Sequence, residues 1–273
     1  MKATCLFVFL CCFFYSFHSF AQSPKAVEAD ITSSFKKIGY WNAYRFSHSG
    51  SADTTVNAYD SVGKANKTFR EKLAYYTSKY PFTLNLRFKD LDDTFLTILT
   101  SKDGLFRIYS WDNSLGGTMR YYENVFQYKA GSGVSTVLKA DTSDGKGDYH
   151  YDYSKLYTLK SHNRTYYLAI CHGKFSTKDL SEGIHIFSIE NGTLTDKVKL
   201  IKTADGLNNE LYYYYNMFSA TDKIKDKDLR YNEATKTISL PVVVGHGKLT
   251  NGHIVYRFNG RYFERVKKLN SGL

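Results

Sequence analysis

The chain has 273 residues, 42% hydrophobic and 23% charged, a profile that excludes a disordered or fibrous protein and allows a sizeable core. Its formal charge of +11 would attract acidic partners such as an anionic glycan or another anionic envelope polymer, but no run is dense enough to form a polybasic patch and the lysines read first as solvated. Aromatic residues make up 16%, with 24 Tyr and 19 Phe against 3 Pro, a balance that suits half-buried strands better than helices.

The chain opens with MKATCLFVFLCCFFYSFHSFAQS, where Lys2 precedes an apolar run and Ser19 and Ala21 stand at the spacing a signal peptidase reads. A signal peptide over residues 1–21 is therefore expected, and with it export to the periplasm or the extracellular space. No later run is apolar enough to span a membrane. Cys5, Cys11 and Cys12 would leave with the leader, so Cys171 would remain alone and without a disulfide.

Residues 22–81 read as a helical segment packed on the main domain. Pro24 suits a first turn, Val27, Ile31, Phe35 and Ile38 recur at helical spacing, and Gly39 is the expected C-cap. A second helix is predicted over residues 53–79, with Val56, Tyr59, Val62, Phe69, Leu73 and Tyr76 on one stripe and Pro81 stopping it.

Residues 82–273 read as an antiparallel β domain of short β-branched and aromatic runs. Asn191-Gly192, Asn251-Gly252 and Asn259-Gly260 supply the positive φ of tight hairpin turns, and the last two predict a three-strand meander over residues 247–267. Pro241 makes "ISLPVVV" an edge strand or an irregular one. The fold class is thus mainly β: antiparallel meander or propeller-like sheets with one or two N-terminal helices.

Three stretches could carry chemistry. In "FRIYSWD", alternation sets Phe106, Ile108 and Ser110 against Arg107, Tyr109 and Trp111. The second set suits a half-exposed face; it reads first as cover for the neighbouring strand and, with Arg120, is the first candidate for a ligand surface that binds by stacking and charge. The glycines of "DNSLGGT" are read as a turn. Asp141, Asp144 and Asp148 lie in an acidic loop, but Gly145 and Lys146 fall where a calcium loop needs an oxygen ligand and a glycine, so no metal site is expected. Cys171 and His172 point to opposite faces of a strand, and Cys171 would need His162, His185, His246 or His253 as partner; it reads as inert packing. No GxSxG, HExxH, P-loop, GxGxxG or CxxC occurs.

The stretches "SKDGLFRIYSWDNSLGGTMRYYENVFQY", "IHIFSIENGTLTDKVKLIKTADGL" and "NGHIVYRFNGRYFERVK" resemble an uncharacterised family of exported proteins of Bacteroidetes-type bacteria, with β-propeller-like strand motifs. The resemblance spans most of the chain after residue 21 and implies no activity, cofactor or catalytic residue. The sequence thus favours a non-catalytic exported protein that binds a glycan, an envelope polymer or a protein partner. Its rivals are a glycan or peptide hydrolase with a fold-assembled Asp/His site and a structural envelope component. No cofactor and no nucleic acid are expected.

Overall fold

A computed structural model describes residues 22–48, 56–92, 94–139, 151–220 and 227–266. The expected leader and the loop aspartates Asp141, Asp144 and Asp148 lie outside the described residues. Helix α1 (Pro24–Ser47) is capped by Ser23, whose hydroxyl accepts from Ala26 N–H. Val27, Ile31, Phe35 and Ile38 are buried, as their spacing predicts. The helix does not end at Gly39. It runs two turns further because Trp41 packs into the same core, and Tyr40, Trp41, Tyr44 and His48 lay their rings against one another. Helix α2 (Ala58–Lys79) starts behind Asn57, whose side chain accepts from Asp60 N–H, and buries Val62, Phe69, Leu73 and Tyr76; Tyr59 of the predicted stripe is exposed.

Strands follow in chain order: β1 (Leu96–Thr100), β2 (Phe106–Asp112), β3 (Tyr122–Ala130), β4 (Gly133–Lys139), β5 (Asp152–Ser161), β6 (Arg164–Lys174), β7 (Asp179–Glu190) and β8 (Thr193–Thr195). Then come β9 (Ile201–Thr203), β10 (Gly206–Asn208), β11 (Glu210–Asn216), β12 (Arg230–Asn232), β13 (Thr237–Val244), β14 (Lys248–Phe258) and β15 (Phe263–Arg265). The first sheet has the order β1-β2-β3-β4, the second β11-β7-β6-β5 with β8 beside β7, and the third β10-β9-β15-β14-β13-β12. Every pairing is antiparallel except that of β15 with β9. The fold is mainly β with two helices, and the described residues close into neither a barrel nor a propeller.

Three cores glue these elements into a stack. Phe35 and Phe69 of the helices meet Tyr109, Trp111 and Val125 of the first sheet. The other face of that sheet, with Phe106, Ile108 and Phe126, meets Tyr153, Tyr167 and Phe187 of the second. Leu168, Ile170, Ile184 and Ile186 on the far side of the second sheet meet Ile201, Ile238 and Phe263 of the third. Each internal sheet is therefore covered on both faces, which is why β2 and β6 are buried along most of their length.

The turns split by chemistry. Asn191 and Gly192 both take positive φ, 51° and 74°, and join β7 to β8 as the dipeptide predicts. Asn259 opens a four-residue loop between β14 and β15, its side-chain oxygen accepting from Arg261 N–H and Tyr262 N–H. Asn251-Gly252 makes no turn, so the predicted meander has one strand fewer there. Leu249 pairs with Val243 and His253 with Pro241, so Thr250, Asn251 and Gly252 stand against Val242 alone. The pair serves a wide bulge, and the irregularity expected at Pro241 sits in it.

Candidate functional site

The face of β2 expected to be half-exposed is core. Arg107, Tyr109 and Trp111 are 5%, 0% and 0% exposed. Arg107 donates from Nη1 to Thr83 O (2.7 Å) and from Nη2 to Leu86 O (2.6 Å), and its guanidinium lies 5.2 Å from the Tyr109 ring centre. Tyr109 OH donates to Thr83 O, and burial pushes its pKa up to about 12 against the pull of Arg107. Trp111 Nε1 donates to Asn66 Oδ1 at 3.0 Å. The alternation was read correctly; the cover was not, because α2 and the turn Pro81–Asn85 lie over this face. The stacking of guanidinium on ring occurs, but inside the protein.

Arg120 is elsewhere. Its backbone N–H donates to Lys174 O (3.0 Å) and its Nη1 to Asp112 Oδ2 (3.2 Å), tying the end of the first sheet to the second. In the loop before it, a Cβ on Gly116 would stand 2.2 Å from Met119 O, so this glycine serves a close backbone approach within the turn. Cys171 is buried, and burial, then the carboxylates of Glu210 and Glu182, push its thiol well above its ordinary pKa, so it carries no thiolate. Of its possible partners, His185 hydrogen-bonds Tyr153 OH through Nδ1 (2.7 Å).

A different set of side chains is brought together at the Lys174 end of the second sheet. The ladder aligns Asp152 of β5 with His172 of β6, His172 with Glu182 of β7, and Glu182 with Tyr213 of β11. The four share one face and form a polar row across four strands. Ser154 joins it through a bulge: Tyr153 pairs with Cys171 and Lys155 with Ile170, leaving Ser154 without a partner on β6. A bulge of this kind re-aims a side chain. Ser154 Oγ lies 2.6 Å from His172 Nε2, and His172 Nδ1 lies 3.2 Å from Glu182 Oε1.

Glu182 is the fixed end of this chain. Its other oxygen accepts from Tyr213 OH and from Leu229 N–H (2.7 Å). Burial works to raise the carboxyl, but the hydrogen bonds from His172, Leu229 and Tyr213 outweigh it and hold the pKa below its ordinary value. An ionised Glu182 facing Nδ1 sets the imidazole tautomer, with the proton on Nδ1 and Nε2 accepting from Ser154 Oγ–H. On the other side of His172, burial raises the Asp152 carboxyl, opposed by a hydrogen bond from Ser110 Oγ (3.1 Å). Exposure is graded along the relay: the Glu182 side chain is 6% exposed, that of His172 36%.

Nucleophile, base and orienting carboxylate within hydrogen-bond reach, in that order, form an arrangement able to transfer acyl groups. Sequence reasoning weighed His172 only against Cys171 and missed it. Two signals were present. His172 continues the face of Leu168 and Ile170, and Glu182 that of Ile186 and Ile184, so each breaks an apolar face close to the loop joining β6 to β7. Tyr153 and Leu156 face the same core though three residues apart, which strict alternation forbids and a bulge explains. Among the described residues no group of three or more His, Cys, Asp or Glu could hold a metal ion, and no helix is long and apolar enough to cross a membrane. Comparison with known protein families, curated proteins and solved structures finds no match.

Proposed function

We propose that this chain is an exported acyl hydrolase with Ser154 as nucleophile, His172 as general base and acid, and Glu182 as the group that orients His172. The observation that carries the reading is the relay itself, 2.6 Å from Ser154 Oγ to His172 Nε2 and 3.2 Å from Nδ1 to Glu182. Export rests on the charge, apolar run and small residues of 1–21 and on the resemblance to an exported family.

Ser154 Oγ attacks the substrate carbonyl carbon as its proton passes to Nε2. The bond to the leaving oxygen or nitrogen breaks, and that atom takes the proton from Nε2. Water then attacks the acyl-serine, giving one proton to Nε2; the acid departs and the proton returns to Ser154. Glu182 stays ionised throughout and stabilises the imidazolium that forms twice per cycle.

Hydrolysis of p-nitrophenyl acetate by the purified protein tests the reading. Turnover above the buffer rate that is lost in both Ser154→Ala and His172→Ala is expected. Turnover equal in the wild type and both variants, or none at all, would overturn it.

A further inference from the structure

Ser154 stands on an edge strand, to which the turn before β2 is tied by Lys102 N–H donating to Thr158 Oγ1 (3.2 Å). β5 is the last strand of its sheet, with β6 on one side only. Tyr153 N–H is taken by Ser110 Oγ at 3.2 Å. Beyond it, no backbone–backbone hydrogen bond reaches the outer side of β5 among the described residues. Such an edge is a template for another extended chain.

The space beside that edge is shaped and charged. A groove of about 450 Å3 runs between Thr158–Lys160 of β5, Lys102 and Asp103 in the β1–β2 turn, and Tyr231, Glu233 and Lys236 around the β12–β13 turn. Lys102, Lys160 and Lys236 are all exposed. The Asp103 carboxylate is held in place by Ser101 Oγ (2.6 Å), Leu105 N–H (3.1 Å) and Tyr167 OH (3.1 Å). Three lysines therefore line the groove with two carboxylates, those of Asp103 and Glu233.

Lys236 adds a second observation. Its φ is +50°, a left-handed conformation that glycine or asparagine adopts more readily. The turn accepts a lysine where a glycine would cost less, and the side chain it gains is one that lines the groove.

Reach follows from strand geometry. Thr158 to Lys160 lie four to six residues beyond Ser154 on the same strand. At ~3.3 Å per residue that is about 13–20 Å of extended chain.

We infer that the substrate is an extended acidic peptide that adds to the outer edge of β5 as a further strand. Backbone hydrogen bonds to β5 hold it in register and set one carbonyl at Ser154. An Asp or Glu four to six residues from the cleaved bond then lies among Lys102, Lys160 and Lys236. Affinity comes from the main chain and preference from the lysines. The inference rests on the hydrolase reading: the bond broken is the C–N bond of an amide, and the departing amine takes the proton from His172 before water releases the acid.

Two internally quenched peptides test it, identical except for Glu or Lys at positions five residues on either side of the centre, with p-nitrophenyl acetate as reference. The Glu peptide is expected to be cleaved with a kcat/KM about tenfold or more above the Lys peptide. N-methylation of its backbone amides should abolish cleavage. Lys236→Gly, which relieves the backbone and keeps or raises the melting temperature, should reduce the Glu preference, and Lys102→Glu with Lys160→Glu should reverse it. Acetate turnover with equal cleavage of both peptides would overturn the inference and leave the hydrolase reading standing. No turnover of acetate or of either peptide would remove both. Self-association that Lys102→Glu with Lys160→Glu abolishes would assign the edge to a second copy of the chain and overturn the inference as well.

Discussion

The outward face of β2 and the polar row across β5, β6, β7 and β11 are made of similar residues and differ in what covers them. On β2, Arg107, Tyr109 and Trp111 spend their donors on Thr83, Leu86 and Asn66, under α2. Of these donors only Arg107 Nε is left without an acceptor, and the face is closed to solvent. On the row, Glu182 is as buried and as fully bonded as any of these. The chain of hydrogen bonds it starts does not close internally, however. It runs through His172, which is a third exposed, to a serine held out of register by a bulge. A saturated polar network rigidifies a core, whereas one that ends in a half-exposed hydroxyl can do chemistry. The stretch richest in suggestive residues is scaffold, and the relay lies on strands that show no motif.

Substitutions on the two regions should separate them cleanly. Ser154→Ala is expected to lower ester turnover by about 10³-fold or more while the melting temperature holds, because a half-buried hydroxyl on a bulge carries little packing. Trp111→Ala should do the reverse. Removing a fully buried indole costs about 3–5 kcal/mol of stability, measured by denaturant unfolding, while turnover per folded molecule stays the same. A loss of activity from Trp111→Ala without unfolding would break the comparison.

Smaller effects sharpen it. Gly183 neighbours Glu182, and a Cβ there would come within 2.2 Å of the Tyr212 ring. Gly183→Ala should therefore cost about 1–3 kcal/mol of stability as that ring is forced away. His185, on the opposite face of β7 from Glu182, gives a pH signature. Burial, and after it the charge of Lys139, lowers its pKa from 6.5 to about 3. Between those values the unfolded chain binds a proton that the folded chain does not. Stability present above pH 6.5 should thus fall by about 1.4 kcal/mol for each pH unit below it. His185→Gln, which keeps an acceptor for Tyr153 OH, should flatten that slope in denaturant titrations between pH 4 and 7.

Much of the scaffold was legible because its signals are local. The stripe of α1, the alternation of β2 and the Asn191-Gly192 turn depend on residues a few positions apart. What was not legible depends on stacking and register. Nothing within "FRIYSWD" says that both faces will be covered; that follows only once α2 needs somewhere to bury Phe69. Asn251-Gly252 suits a bulge as well as a turn, and the partner strand decides between them. The relay needed two registers at once, His172 against Glu182 and a slip between Tyr153 and Lys155. The polar breaks in β6 and β7 point to the first, and the odd spacing of Tyr153 and Leu156 points to the second.

Covalent trapping tests the central claim most directly. A fluorophosphonate reacts with a serine whose proton an adjacent base can take, and mapping the modified peptide by mass spectrometry locates the adduct. A single adduct on Ser154, absent from His172→Ala and strongly reduced in Glu182→Gln, is the result the relay requires. A folded protein that takes no adduct, or takes one equally in Ser154→Ala, would contradict it.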